Sequence, residues 1–402
     1  MKRLTFLLIL FAALWPAGAQ TRHYRRIPAL EFARFERNAL QFPGGESASF
    51  DAFLRKLDTL VVTGRGDVRI LHIGGSHVQG GTWTNTLRKN LLTLSYGMDG
   101  GRGFVFPYAA AGTNTPVGYQ STYTGTWSSS RCLKPETVMG LSGMTVTTAD
   151  TAATVSLDLI PPERKMWDVR YTVRSVDVFG YGDLEPVILM GKDTVRGHLE
   201  DERWHYELPY YTDYIRIGFR GFPGKYTLKG VYLDNPATGL TVSEVGVNGA
   251  ATSSFLKCDD FTRELKTVMP DLVIFSIGIN DLQGSDFDAR RFITNYSKLI
   301  QRVRHANPDC AFLFTTCNDS WKGQRVNPFG ARAQKAFQEI AAGTDAALWD
   351  LFDIMGGAGS MDEWVKAGLA RPDHVHFTPE GYTLLGNLLF NALMDRYAEV
   401  AR

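Results

Sequence analysis

The segment that begins at Asp373, near the C-terminus, carries a histidine, His376, three residues after an aspartate. A serine hydrolase needs an imidazole that accepts the nucleophile's proton and a carboxylate that holds the correct tautomer. An Asp-x-x-His loop supplies both groups from one short piece of backbone. Aspartate and histidine also share many ordinary loops, so the weight of this pattern depends on what precedes it in the chain.

A candidate nucleophile, Ser76, follows a short apolar strand pattern over residues 68–73 and the pair Gly74-Gly75. After it, apolar residues recur at three- and four-residue spacing, as on one face of a helix. The two glycines allow a sharp strand-to-helix turn, and the following helix N-terminus favours developing negative charge. A Gly-Gly-Ser turn is also common as a plain connection, so this element alone does not identify an enzyme.

Two further apolar strand patterns, 240–245 and 272–277, end in the tetrapeptides Gly-Val-Asn-Gly and Gly-Ile-Asn-Asp. Both place glycine and asparagine just past the carboxyl end of a buried strand, where open α/β sheets bind their ligands. Acyl transfer needs hydrogen-bond donors aimed at the tetrahedral oxyanion, and backbone N–H groups or an asparagine amide supply them. Either turn alone fits an ordinary connection, but four such elements at strand ends favour a hydrolase.

These four tetrapeptides, with Gly-Gly-Ser-His first and Asp-His-Val-His last, resemble blocks I, II, III and V of the SGNH (GDSL-like) hydrolases. The resemblance implies Ser76 as nucleophile, His376 as general base and Asp373 as the carboxylate that orients it. It also implies an oxyanion hole formed by the backbone N–H groups of Ser76 and Gly249 and the side chain of Asn280.

The chain resembles one branch more closely, the bacterial peptidoglycan O-acetylesterases and related glycan deacetylases. That branch has a Gly-Ser-His-x-Gln first block, a Gly-Gly-Arg-Gly-Phe segment soon after it (here residues 100–104), and a β-rich module before block II. One departure is Gly75, which occupies the position of the usual aspartate of block I. That aspartate is not a triad member, so the chemistry survives in principle, while a non-catalytic glycan-binding descendant stays an alternative.

Four polar residues near these blocks are candidate substrate contacts. His77 and Gln79 flank the nucleophile, and Arg325 and Asn327 lie in a polar loop after the strand pattern 311–316. Arg325 and Asn327 are placed at the end of the sheet that carries the triad, and we expect them to contact substrate. His77 and Gln79 are candidates for the same role, but residues beside a turn more often have a structural one.

The pair His374 and His376 also has the spacing of two metal ligands on a strand, but no third ligand has a recognisable spacing. We therefore expect no metal, and acyl transfer by a triad needs no cofactor. His374 is a rival for the role of base, but only His376 has the Asp-x-x-His spacing.

The chain has 402 residues with 43 Lys and Arg against 42 Asp and Glu, and this balance excludes the basic excess typical of nucleic-acid binding. Residues 1–19 have the pattern of a signal peptide: a basic pair, a short apolar run and an Ala-x-Ala-like cleavage site. We expect export to the periplasm or the medium without stable membrane insertion, with an uncleaved anchor as the alternative. No protein partner is implied.

The rest of the pattern predicts an α/β fold: a three-layer parallel sheet with helices on both faces, interrupted by an inserted β-sandwich. We expect a helical lead-in over 20–66 and the hydrolase domain in two parts, 67–110 and 240–402. Period-two alternation between them predicts the sandwich at 111–239, with its two ends close together.

Several aromatic residues and one histidine of the insert are of the kind that stacks on sugars, although most such residues are core or sheet-face residues: Trp127, Trp204, His205, Tyr206, Tyr210, Tyr211 and Tyr214. The sequence thus predicts an exported serine esterase that removes O-acetyl groups from a glycan, with peptidoglycan first. Another acetylated polysaccharide such as xylan or pectin, and a non-catalytic glycan-binding protein, are the alternatives, and a lipase is disfavoured because no apolar lid is evident.

Overall fold

The computed structural model describes residues 24–160, 171–221 and 224–401, so the predicted signal peptide lies outside the described residues. The strands, in chain order, are β1 Leu40–Gln41, β2 Asp67–Gly74, β3 Gly103–Val105, β4 Gln120–Thr124, β5 Ser128–Arg131, β6 Met144–Thr148, β7 Thr154–Asp158, β8 Val173–Gly182, β9 Glu185–Met190, β10 Asp193–Arg196, β11 His198–Glu200, β12 Arg203–Thr212, β13 Tyr214–Arg220, β14 Tyr226–Asp234, β15 Gly239–Gly246, β16 Leu272–Ser276, β17 Ala311–Thr315, β18 Trp321–Lys322, β19 Arg325–Val326 and β20 Ala347–Trp349. The α-helices are α1 Ala48–Thr63, α2 Ser76–Gln79, α3 Thr82–Leu91, α4 Thr252–Phe255, α5 Phe261–Val268, α6 Ala289–Ala306, α7 Gly330–Ala342, α8 Leu351–Ile354, α9 Ser360–Lys366 and α10 Pro379–Val400.

The central sheet has the order β1-β20-β17-β16-β2-β15, in which only β1, at one edge, runs antiparallel. Successive residues of its strands pack into two separate cores: Ile70 belongs to the core that contains α1, α3 and α10, and Leu71 to the core that contains α5, α6 and α7. Helices therefore cover both faces, and the predicted three-layer arrangement is confirmed. Among the helices of the described residues, none has both the length and the apolar character needed to span a membrane.

The strands from β3 to β14 form two antiparallel sheets, one with the order β10-β9-β13-β7-β4 and one with the order β11-β12-β8-β14-β6-β5. The sheets share a core, in which Phe219 of β13 and Tyr226 of β14 contact each other with ring centroids 5.3 Å apart. The two ends of this β-domain are joined by backbone hydrogen bonds, since Leu240 N donates to Met98 O at 2.6 Å and Gly100 N donates to Leu240 O at 3.2 Å. The fold class, including the inserted sandwich, is as predicted.

The β-domain begins earlier than the predicted position 111. Strand β3 pairs with β14 in the larger sheet of the sandwich, although the sequence places residues 103–105 in the first part of the hydrolase domain. All three residues of β3 are buried, so they give no alternating pattern. Their partner strand lies more than a hundred residues later in the chain, and local sequence does not reveal such pairing.

The predicted helical lead-in over 20–66 is wrong for most of its length. Only α1 is an α-helix, while Tyr24 to Glu46 run as irregular chain with one short 3₁₀ turn, Phe35–Arg37, and the edge strand β1. Pro28 and the Pro43-Gly44 pair interrupt helix formation. Aromatic residues of this segment instead pack individually on the hydrolase domain. Phe32 and Phe35, for example, each contact Trp364 of α9 edge-on.

A buried histidine, His72, lies in the middle of β2, four residues before Ser76. Its Nδ1 is 2.8 Å from Thr84 Oγ1 and its Nε2 is 2.7 Å from Ser276 Oγ. Burial, and secondly the charge of Arg88, lower the pKa of His72 to about 3. The strand that leads to the candidate nucleophile therefore contains a neutral imidazole with both nitrogens hydrogen-bonded.

We expect the acid sensitivity of folding to depend on His72. In the unfolded chain its pKa returns to about 6.5, so as the pH falls from about 6.5 towards about 3 the unfolded state binds a proton that the folded state does not. The free energy of unfolding should therefore fall with pH, by up to roughly 1.4 kcal/mol per pH unit from this group. In His72→Gln this slope should be shallower, although the variant is less stable at neutral pH.

The measurement is denaturant unfolding at several pH values for the wild type, His72→Gln and the control His305→Gln, which replaces an exposed histidine of α6. Parallel stability curves for the wild type and His72→Gln below pH 6.5 would contradict the prediction.

Candidate active site

The structure brings Ser76, His376 and Asp373 into one chain of hydrogen bonds. Ser76 Oγ lies 2.8 Å from His376 Nε2, and His376 Nδ1 lies 2.9 Å from Asp373 Oδ2. Ser76 is the first residue of α2, directly after β2, and the other two belong to the loop before α10. A hydroxyl, an imidazole and a carboxylate in this order can generate a serine nucleophile and stabilise the imidazolium that results.

The second carboxylate oxygen of Asp373 fixes the loop itself. Asp373 Oδ1 accepts hydrogen bonds from the backbone N–H groups of Val375 and His376, both at 2.9 Å. Partial burial by itself would raise the pKa of this carboxyl, but these two N–H groups and the His376 ring together lower it below its usual value. An ionised Asp373 favours the tautomer of His376 with the proton on Nδ1, which leaves Nε2 free to accept the serine proton.

The predicted oxyanion donors follow three adjacent strands. Strand β2 lies between β15 and β16 in the parallel sheet, so Ser76, Gly249 and Asn280 all lie in turns at the same edge. Asn280 Nδ2 donates a hydrogen bond to Ala250 O at 2.9 Å, which joins the third turn to the second. An amide nitrogen carries two hydrogens, so this bond orients the side chain and leaves one donor for a bound anion.

Residues 225–384 match the model of the GDSL-like Lipase/Acylhydrolase family. This range contains Gly249, Asn280, Asp373 and His376, while Ser76 lies before it, on the other side of most of the β-domain. The C-terminal part of the chain is therefore similar to the GDSL-like hydrolases. Enzymes of this kind act on esters, and the hydrogen-bonded triad described above is the geometry that such a reaction requires.

Solved structures show that the whole architecture occurs elsewhere. A peptidoglycan O-acetylesterase is similar over 90% of this chain and 99% of its own, with a TM-score of 0.74 and 24% sequence identity. The lipase/acylhydrolase from Enterococcus faecalis has a TM-score of 0.31 and 23% identity, over 39% of this chain and 77% of its own. The acetyl xylan esterase AlAXEase also has a TM-score of 0.31, with 18% identity over 38% of this chain and 81% of its own. No curated protein matches the chain.

The turn that contains Gly249 is stabilised by hydrogen bonds from side chains that the sequence pattern does not identify as functional. Asp281 accepts hydrogen bonds from both the backbone N–H and the hydroxyl of Thr252, at 2.9 and 2.7 Å. Asn295 Nδ2 donates to the same hydroxyl at 2.9 Å. Asp281 directly follows Asn280, so one tetrapeptide supplies both a donor and the anchor of the neighbouring turn.

The triad loop of the hydrolase has two supports of its own. Asn318 Nδ2 donates to Val375 O at 3.0 Å. The Trp321 ring stacks on His374, with centroids 3.8 Å apart, and His374 has a left-handed backbone with φ of +54°. No local spacing points to Asn318 or Trp321, because each acts on a loop more than fifty residues away in the chain.

His77 lies behind the catalytic imidazole rather than beside the substrate. Its ring centroid is 5.1 Å from that of His376, and its Nδ1 is 2.7 Å from the hydroxyl of Tyr382. Burial, and secondly the positive charge that His376 can carry, lower the pKa of His77 to about 3. We therefore correct its expected role from a substrate contact to an uncharged packing partner of the base.

Of the other three candidate substrate contacts, two are buried and one is exposed. Gln79 is buried, with its amide bonded to two other segments of the chain, at Thr113 and Asn114 and at Asn248. Asn327 is also buried: its Nδ2 donates to Leu282 O and its Oδ1 accepts from Phe329 N. Both side chains are thus bonded within the protein, which favours a structural role over contact with substrate. Arg325 lies on the exposed hairpin of β18 and β19, and its contact with substrate stays a prediction.

The two histidines of the loop are not arranged as a metal pair. His374 Nε2 is 3.2 Å from Asp362 Oδ1 and its Nδ1 is 2.9 Å from Pro372 O, whereas His376 faces Ser76. In the part of the chain that the structure describes, no group of three or more His, Cys, Asp or Glu side chains is placed to hold a metal ion.

Gly75, which replaces the usual aspartate, lies against the oxyanion turn. A Cβ at this position would be 3.3 Å from Asn280 Nδ2 and 3.5 Å from Ala250 O. Its φ of −91° is ordinary for any residue. A side chain at position 75 would therefore contact Asn280, and the glycine leaves that space open.

We expect Gly249→Ala to reduce turnover strongly. Gly249 has a left-handed backbone, with φ of +82°, and an added Cβ would lie 3.1 Å from Leu133 Cδ2 of the β-domain. Relief of this strain should rotate the peptide and displace its N–H, and loss of one oxyanion donor costs on the order of 10²–10³ in kcat. The measurement is kcat on a small activated acetyl ester.

A matched control is Gly191→Ala, in the turn between β9 and β10, where φ is also left-handed at +63° and no atom lies within 4 Å of the added Cβ. The two variants share a backbone strain of about 1–3 kcal/mol. Equal kcat for Gly249→Ala and Gly191→Ala would contradict a role of the Gly249 peptide in the hole.

Proposed function

We propose that this hydrolase is an exported esterase that removes O-acetyl groups from a glycan, and that the glycan is peptidoglycan. The observation that carries the proposal is the hydrogen-bonded chain Ser76–His376–Asp373 beside the Gly249 and Asn280 turns. The site is open, with about a third of the His376 side chain and nearly half of Asp373 exposed. A polymer-borne acetyl ester needs such an accessible site.

In the proposed reaction, Ser76 Oγ attacks the carbonyl carbon of the acetyl ester while His376 Nε2 takes its proton. The negative charge moves to the carbonyl oxygen, where the N–H groups of Ser76 and Gly249 and the Asn280 amide stabilise it. The tetrahedral intermediate then breaks its bond to the sugar oxygen, which takes the proton from His376 and leaves as the free hydroxyl. Asp373 stays ionised throughout and stabilises the imidazolium.

The second half of the reaction uses the same groups with water as the nucleophile. His376 takes a proton from the water as it attacks the acetyl-enzyme, and the same donors hold the second oxyanion. Acetate leaves as the Ser76 hydroxyl is reprotonated. The triad and the three oxyanion donors are sufficient for every step, so the proposed mechanism needs no cofactor.

Two features support a glycan as the acyl carrier. The fold similarity to a peptidoglycan O-acetylesterase extends over both the hydrolase domain and the β-domain. Of the predicted sugar-stacking residues of the β-domain, Tyr206 is buried, Trp127 and Trp204 are half-buried against the core, and His205 binds Asp177 through its Nδ1. The remaining three are about half exposed and are our candidates for sugar contacts: Tyr210, Tyr211 and Tyr214.

Export is part of the proposal because peptidoglycan lies outside the cytoplasm. The basic pair, apolar run and Ala-Gly-Ala segment within residues 1–19 support it. The N-terminus of the protein recovered from cells tests this point: a mature chain that begins after Ala19 agrees with export, and an intact leader in the cytoplasmic fraction contradicts it.

The test of function is acetate release from O-acetylated peptidoglycan and from acetylated xylan, side by side, with Ser76→Ala as the control. We expect Ser76-dependent release, faster from peptidoglycan. Faster release from xylan would assign a different glycan to the same chemistry. Glycan binding by well-folded protein without any Ser76-dependent release would overturn the esterase and favour a binding protein.

We also expect Asn280→Ala to lower kcat on the order of 10²–10³-fold, the usual loss for one oxyanion donor. A matched control is Asn307→Ala, which likewise removes a bond from an asparagine Nδ2 to a backbone carbonyl, that of Pro270 at 2.9 Å, together with the bond from Asp309 N to Asn307 Oδ1, away from the site. Wild-type turnover in Asn280→Ala would remove this residue from the mechanism.

A further inference from the structure

Gln79, at the end of α2, has a buried side chain whose amide is hydrogen-bonded at both ends. Only 1% of the residue is exposed. Its Oε1 accepts a hydrogen bond from the backbone N–H of Asn248 at 2.7 Å. Its Nε2 lies 3.0 Å from Thr113 Oγ1 and 3.1 Å from both the backbone and the side-chain oxygen of Asn114.

The partners of Gln79 also bond to one another. Asn248 Nδ2 donates to Asn114 Oδ1 at 3.0 Å, and Thr113 Oγ1 lies 3.4 Å from the same nitrogen. The network therefore joins three segments that are far apart in the chain. They are the helix that begins at Ser76, the turn that contains Gly249, and the stretch between β3 and β4 of the sandwich.

The Asn248 N–H is one peptide away from the N–H of Gly249. The two residues before Asn248 are held close to β2 and α2. Val247 N donates to Gly74 O at 3.2 Å, and a Cβ at Gly246 would collide with the backbone of Gln79. These contacts fix the start of the turn, and the bond from Gln79 fixes the Val247–Asn248 peptide, to which the Asn248 N–H belongs. The Gly249 N–H belongs to the next peptide, whose orientation follows from the backbone of Asn248, and the Asn248 side chain is itself bonded to Asn114.

We propose that Gln79 is a positioning residue of the oxyanion hole: it holds the Val247–Asn248 peptide and, through the backbone of Asn248, sets the orientation in which the Gly249 N–H points at the developing negative charge. Thr113 and Asn114 hold the Gln79 amide in turn, so the entry to the β-domain supports the catalytic geometry. This inference rests on the proposed esterase function. It also gives a role to a buried glutamine beside the nucleophile whose polar atoms all have interior partners.

The test compares Gln79→Met with Gln79→Glu and Asn114→Ala. Methionine keeps the length of the side chain but makes neither bond, so kcat on a small activated acetyl ester should fall on the order of 10²-fold, with KM nearly unchanged. Glutamate keeps an oxygen for the Asn248 N–H and should recover part of the loss. Asn114→Ala leaves that bond intact and should cost less than Gln79→Met.

Two readouts separate positioning from simple loss of folded protein. The turnover is expressed per active site titrated with a fluorophosphonate, so a smaller folded fraction does not lower it. The affinity for an alkylboronic acid, which forms a tetrahedral adduct on Ser76, should weaken by about the same factor as kcat. The matched control is Gln334→Met on α7, which removes the hydrogen bond from Gln334 Nε2 to Asp350 and should change neither quantity.

Failure of this inference and failure of the proposed function give different results. If the wild type does not hydrolyse even the activated ester, the esterase proposal fails and the inference falls with it. If the wild type is active and Gln79→Met retains wild-type kcat per titrated site and wild-type boronate affinity, the inference is overturned while the esterase stands. Equal losses in Gln79→Met and Gln334→Met also overturn it.

Discussion

Parallel pairing of β2 with strands on both of its sides is the constraint on which the active site depends. Strands that run in the same direction end at the same edge, so the turns after β15, β2 and β16 meet although they are far apart in sequence. The contact is close enough that the last residue of β15, Gly246, has no room for a Cβ beside α2. The nucleophile and the proposed oxyanion donors are therefore positioned by the backbone of the sheet, and side chains only refine that placement.

The same edge must accommodate a β-domain that leaves the hydrolase after α3 and returns at β15. Arg88 of α3 and Arg102, just before β3, both bind the carboxylate of Glu244 in β15, and all three side chains are almost fully buried. Removal of one partner from such a buried group leaves an uncompensated charge and is strongly destabilising. The junction is thus anchored two residues before Gly246, and motion of the β-domain has little freedom to disturb the Gly249 turn.

The site places two imidazoles side by side in different surroundings. His77 is buried, and its pKa, lowered to about 3, keeps it uncharged at neutral pH. A second positive charge at 5.1 Å would oppose the imidazolium that His376 must form during catalysis. His376 instead faces an ionised Asp373 in a partly exposed loop. Burial thus distinguishes the surroundings of two histidines that lie within a few ångströms of each other.

The sequence by itself determined the fold class, the inserted sandwich and the order of the four turns, because strand and helix periodicities and glycine-rich turns are local properties. It also supplied Ser76, Asp373 and His376 as a set, which the structure brings within hydrogen-bonding distance. Which polar side chains point into the interior depends on contacts that form only in the folded chain. His77, Gln79 and Asn327 are polar residues near the motifs, yet partners from distant segments turn them inward. For the same reason the pairing of β3 with β14, the irregular path before α1, and the supports Asn318 and Trp321 are visible only once the chain is folded.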